Sequence, residues 1–152
     1  VGAVLRQQLA ANPANAPVLA PAMAAIDRLE AGRRVDTATM PAPLLALFRP
    51  QVQDFLISEF SYDPAKLIAA YKGPVLIVQG IKDIQVSVTD AQALKAAKPA
   101  ATLVLLPNVN HVLKEVDGDS RPANVATYAD PSLPLAPGIV EPIAKFIRQS
   151  QP

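Results

Sequence analysis

Two side chains in this sequence have the types and spacing to move a proton. Asp83 lies three residues past a glycine that ends an apolar run, in "PVLIVQGIKD". His111, the only histidine, follows a second apolar run, in "TLVLLPNVNH". A carboxylate beside an imidazole can accept from Nδ1–H, fix the ring tautomer and stabilise the imidazolium when Nε2 takes a proton. Either residue alone is ordinary. Asp after Gly-x-x is a common turn residue, and a lone His is often only a hydrogen-bonded core or surface group. The joint placement carries the signal, because each residue follows a buried strand and one helical segment separates the strands. With no cysteine in the chain and one histidine, thiol catalysis and disulfides are excluded and no metal site or cofactor is expected.

The elements that must position the pair are strand, helix, strand and helix. "PVLIVQ" and "TLVLLP" are continuous apolar, β-rich runs of the kind buried on both faces of a parallel sheet. Between them "SVTD" has the spacing of a capping box, and "AQALKAAK" continues as a helix to Pro99. The last element, "GIVEPIAKFIRQS", places Ile139, Ile143, Phe146 and Ile147 on one helical face. Strand–helix–strand order with short links predicts parallel strands and a right-handed crossover. Ligands of open α/β sheets gather at the carboxyl ends of the strands, which is where Asp83 and His111 fall.

The preceding residues read as helices. Leu19, Met23, Ile26 and Leu29 recur at helical spacing with Gly32 as a stop; Val52, Phe55, Leu56 and Phe60 mark another helical face. The expected division is a helical region over 1–70 and the strand–helix part over 71–152. Residues 117–137, polar and proline-rich, read as a long surface loop.

Composition agrees with a soluble globular chain. It is 51% hydrophobic and 18% charged, with 14 basic and 13 acidic residues and a net charge of +1. That balance gives no field for nucleic acid. Sixteen prolines interrupt the apolar runs, and none approaches the roughly 20 residues of a membrane span. The compartment stays open.

"PVLIVQGIKDIQV" followed by "DAQALKAAKPAATLVLLPNVNHVLK" resembles the C-terminal part of the α/β-hydrolase fold, in particular serine hydrolases of the esterase, lysophospholipase and serine-aminopeptidase-like kind. The resemblance covers residues 65–116 well and the terminal helix loosely, and residues 1–64 resemble a helical cap or lid. It implies an α/β fold with two parallel strands and crossover helices. It also implies Asp83 as triad acid, His111 as triad base and a small-molecule carboxylic ester as substrate. The family's nucleophile is a serine in a G-x-S-x-G elbow, and no two of the six glycines here stand four apart. Ser58, Ser61, Ser87, Ser120, Ser132 and Ser150 all lack that setting. The expectation is therefore a C-terminal half, inactive alone, whose partner is the N-terminal half bearing the serine and oxyanion hole. Such a half exposes a strand edge and an apolar face. Leu44, Phe48, Phe55, Ile84 and Val112 are candidates for the substrate pocket, set against plain packing of the cap. The alternative is a non-catalytic α/β-hydrolase-like binding or assembly module. Haloalkane- or epoxide-opening relatives, with an upstream aspartate nucleophile, also remain open.

Overall fold

The computed structural model describes residues 2–150. The chain divides into two compact units, Val1–Asp63 and Pro64–Pro152. The division falls earlier than the expected 70/71, so the helix over Pro64–Ala70 groups with the strands.

The first unit is helical: α1 (Gly2–Ala11), a 3₁₀ segment (Pro13–Val18), α2 (Leu19–Glu30), α3 (Ala42–Phe48) and α4 (Pro50–Ser61). The expected stripe of α2 is its packing face, with Ile26 and Leu29 buried and Leu19 and Met23 against them. The helix ends in a Schellman turn. Gly32, at φ 71°, donates to the Leu29 carbonyl, and Arg33 donates to the Arg28 carbonyl. Pro43 and Pro50 sit in first turns, where the missing N–H is no loss.

In α4 the packing face keeps Leu56 and Phe60 of the expected stripe but not Phe55. Leu56, Ile57 and Phe60 pack on the core, whereas Phe55 is 63% exposed. The stripe is rotated because its fourth member is polar. Gln53 is 1% exposed; its amide donates to the carbonyls of Phe48 (2.7 Å) and Val35 (3.0 Å), and its oxygen accepts from Val35 N–H (2.8 Å). One side chain thus satisfies backbone groups that the interhelical loop cannot pair itself.

The second unit contains α5 (Pro64–Ala70), β1 (Leu76–Gly80), α6 (Val88–Ala97), β2 (Thr102–Leu106), α7 (Arg121–Ala126) and α8 (Val140–Gln149). It is an α/β arrangement whose two strands pair in parallel, in register from Leu76 opposite Thr102 to Gly80 opposite Leu106. The capping box forms as the spacing predicts. Ser87 Oγ accepts from Asp90 N–H, and the Asp90 carboxylate accepts from Ser87 N–H. Lys95, in the last turn of α6, donates to the carbonyls of Pro99 and Ala101.

The segment expected as a surface loop over 117–137 is partly helical. Ser120 caps α7, accepting from Ala123 N–H, with Pro122 in the first turn, and a 3₁₀ turn (Thr127–Ala129) follows. One buried cluster of this unit joins Leu106, Val109, Ala136 and Ile139, with Val78 and Val104 packed on it, and Ala91, Ala101 and Val116 are buried outside it. Leu76, Ile77, Leu103 and Leu105 are only half-buried, and Val140, Ile143 and Ile147 of α8 are exposed. Among the described residues each strand has one paired edge and one open edge. No helix among them is long and apolar enough to cross a membrane.

Gln53→Leu keeps the volume of the side chain and removes its three hydrogen bonds. The stranded backbone groups should destabilise the helical unit by roughly 2–4 kcal/mol, read as a lower urea midpoint for loss of helical circular dichroism.

Candidate active site

The rim geometry begins with register. Because Gly80 and Leu106 are opposite one another in a parallel pair, the chain leaves both strands at the same level. Past that level the two segments stay in backbone contact. Ile81 N–H donates to the Leu106 carbonyl (2.9 Å), and Lys82 N–H donates to the Val109 carbonyl (3.0 Å). The approach is so close that a Cβ on Gly80 would lie 2.1 Å from the Val109 carbonyl oxygen. Glycine is the residue type that permits this crossing.

Asp83 then sits in a turn closed by its own side chain. Its Oδ1 accepts from Gln85 N–H (2.7 Å) and Val86 N–H (2.9 Å). Gln79, buried at the end of β1, directs its amide to the Gly80 carbonyl (2.9 Å), the Val86 carbonyl (3.1 Å) and Asp83 Oδ2 (3.3 Å). The acid loop is therefore tied at both ends before α6 begins.

His111 lies in a tight turn between Asn110 and Lys114. Asn110 N–H donates to the Lys114 carbonyl (3.1 Å), and Leu113 N–H donates to the Asn110 carbonyl (3.1 Å). Val109 and Glu115 form an antiparallel bridge beneath the turn. Leu113 adopts φ 60°, a left-handed conformation that a leucine takes only when its surroundings impose it. The Asn110 side chain, 1% exposed, accepts from Lys114 N–H (3.0 Å) and donates to Asn124 Oδ1 (3.1 Å) and Thr127 Oγ1 (2.7 Å).

The two turns bring the predicted pair together. His111 Nδ1 is 2.9 Å from Asp83 Oδ2. The Asp83 side chain is 7% exposed and that of His111 39% exposed. Burial pushes the Asp83 carboxyl up, but the Val86 and Gln85 N–H groups and then the His111 ring outweigh it. They hold the carboxyl below its ordinary value. The carboxylate is thus ionised at neutral pH and can only accept. It follows that Nδ1 carries the ring proton, leaving the Nε2 lone pair available as a base. Nε2 has no hydrogen-bond partner among the described residues.

The other candidates fall in several places. Ile84 and Val112, on the acid loop and the base turn, are half-buried. Leu44 and Phe48, expected in a substrate pocket, are buried in the helical unit's own core, at 2% and 0% exposure. There they pack against Ile26 and Leu29, and of the three helical candidates Phe55 is the exposed one. A groove of about 250 Å³ in the second unit is lined by Glu115, Asp117 and Leu133–Pro137, and so includes neither Asp83 nor His111. No serine bonds to His111 among the described residues. Ser61, Ser87, Ser120 and Ser132 each bond locally, to Ser58 O, Asp90, Ala123 N–H and Asp130. Nor does any group of three or more imidazole and carboxylate side chains converge as metal ligands among those residues.

Sequence reasoning missed Gln79, Asn110, Asn124 and Thr127. Gln79 and Asn110 had a faint signal, since each is a polar residue at or just past the end of an apolar run. Asn124 and Thr127 had none, lying in a stretch that reads as loop. Comparison with protein families, with curated proteins and with solved structures finds no match to this chain.

Two outcomes are expected. Gly80→Ala should destabilise the second unit by about 2 kcal/mol or more, because the obstructing atom is backbone; faster amide exchange in β1 and β2 reads this. Asp83 has a folded pKa below its unfolded value, so its stabilising contribution is present above the unfolded pKa of about 3.9 and is lost as pH falls through the folded one. Amide protection of β1 and β2 should therefore decline as the pH falls below about 4, and less steeply in Asp83→Asn.

Proposed function

We propose that this chain supplies the acid and base of a serine hydrolase acting on carboxylic esters. In this reading it is the C-terminal portion of an α/β-hydrolase fold. The observation that carries the reading is the 2.9 Å contact between an ionised, enclosed Asp83 and an imidazole whose outer nitrogen is open. His111 Nε2 takes the proton of a serine hydroxyl as that oxygen attacks the ester carbonyl. It then returns the proton to the departing alkoxide, and a water molecule repeats the sequence to release the acid. Asp83 holds the ring and stabilises its cationic form; it is not itself protonated. The serine and the donors for the developing oxyanion come from the N-terminal half of the same enzyme. The half-buried strands, open edges and exposed α8 residues support this reading, since they are surfaces that a larger sheet would cover.

A second reading is a non-catalytic binding or assembly module. Its specific support is that no serine bonds to His111 among the described residues.

A phosphonate probe directed at activated serines, applied to the intact assembly, separates the two. Labelling of a co-purifying N-terminal fragment, abolished in His111→Ala, is the expected result; an unlabelled intact assembly favours the module. In the complete enzyme Asp83→Asn should lower kcat by about 10⁴, and a loss below about tenfold would overturn the assignment.

A further inference from the structure

The segment after the base turn is attached to the acid loop at three points. Asp119 pairs with Lys82 Nζ, Asn124 Nδ2 donates to the Lys82 carbonyl (2.7 Å), and Gln85 Nε2 donates to the Tyr128 hydroxyl (3.2 Å). These contacts fall on both sides of Asp83. The same segment grips the residue before His111. Asn110 Nδ2 donates to Asn124 Oδ1 and to Thr127 Oγ1, and Thr127 Oγ1 in turn donates to the Asn124 carbonyl (2.8 Å).

We propose that Asn124 is the positioning residue of the acid–base pair, its amide joining the Lys82 carbonyl of the acid loop to the Asn110 side chain of the base turn. The inference deepens the hydrolase reading and takes from it only the roles of Asp83 and His111. Three features mark out Asn124. It is the only buried residue of α7, at 4% exposure. Its Nδ2 donates to the acid loop while its Oδ1 accepts from the base turn, two separate atoms that a side-chain amide supplies together. And a buried amide with both ends paired is costly to leave half-satisfied, so the network has one favourable arrangement. Asp119 and Tyr128, by contrast, each reach only the acid loop through a side-chain tip.

The lever arm is short. Lys82 immediately precedes Asp83, and Asn110 immediately precedes His111. The Lys82 N–H bond to the Val109 carbonyl still joins the backbones, so releasing either end removes the second tie between the turns and weakens the contact that fixes the imidazole tautomer.

Because His111 is the only histidine, its two ring nitrogens can be followed in this chain by ¹⁵N NMR with labelled histidine. At a pH where the ring is neutral, the wild type should be mainly the Nδ1–H tautomer. Asn124→Ala should lower the ratio of Nδ1–H to Nε2–H about fivefold, with a dispersed backbone spectrum retained. Asn124→Asp, which keeps the acceptor and lacks the donor to Lys82, should also lower it and serves if the alanine variant does not fold. Ser87→Ala, which weakens the α6 cap, should leave the ratio unchanged. An unaltered tautomer ratio in a folded Asn124 variant, or an equal change in Ser87→Ala, would overturn the proposal. The readout needs neither serine nor substrate, so its failure is distinct from a failure of phosphonate labelling.

Discussion

The candidate site depends on one backbone contact. Past the paired ends of the strands, the chain at Gly80 runs against the Val109 carbonyl at a separation that leaves no room for a Cβ. Ile81 and Lys82 then bond to the Leu106 and Val109 carbonyls. With that contact, two turns from distant parts of the sequence share a wall, and Asp83 and His111 meet. Without it, the same residues would sit at the ends of two separately mobile loops. The constraint is steric and local, yet it acts on groups 28 residues apart.

Around that contact the polar groups are matched. Asp83 presents one oxygen to two backbone N–H groups and the other to His111 and Gln79. This arrangement keeps a largely enclosed carboxylate charged despite its burial. Asn110 does the corresponding work for the base turn, whose leucine sits in a left-handed conformation. No buried side-chain polar atom lacks a hydrogen bond among the described residues. Such a network narrows the arrangements open to the pair and leaves the outer nitrogen of the imidazole free to act.

The two units are built on different terms. The helical unit closes a seven-member buried core around Ile26, Leu29 and Phe48, and fills its polar gap with Gln53. The α/β unit gathers Leu106, Val109, Ala136 and Ile139 into one cluster, leaves the buried Ala91, Ala101 and Val116 outside it, and has strands that remain half-exposed. Its order at the rim comes more from hydrogen bonds and close backbone approach than from apolar burial. That contrast underlies the proposal that further strands complete the sheet.

Much of the site was legible in the chain. Apolar runs that stop at Gly80 and Pro107, with Asp83 and His111 just beyond, are local patterns, as is the capping box of Ser87 and Asp90. Strand periodicity, helix caps and turn chemistry act within a few residues, so sequence alone determines them. The packing face of α4 was legible at Leu56 and Phe60 but not at Phe55, because a polar residue, Gln53, occupies a core position, and its justification is the Val35 and Phe48 backbone brought alongside by folding. Leu44 and Phe48 carry no mark that separates core from pocket; only their surroundings decide it. Asn124 lies in a stretch whose composition says loop, and its role exists only once Lys82 and Asn110 are within reach. Thus the chain by itself determined which groups stand at the strand ends, because that is set by neighbours in sequence. Tertiary structure alone decided which amides tie those ends together, because a hydrogen bond between distant segments depends on a separation in space that no local pattern encodes.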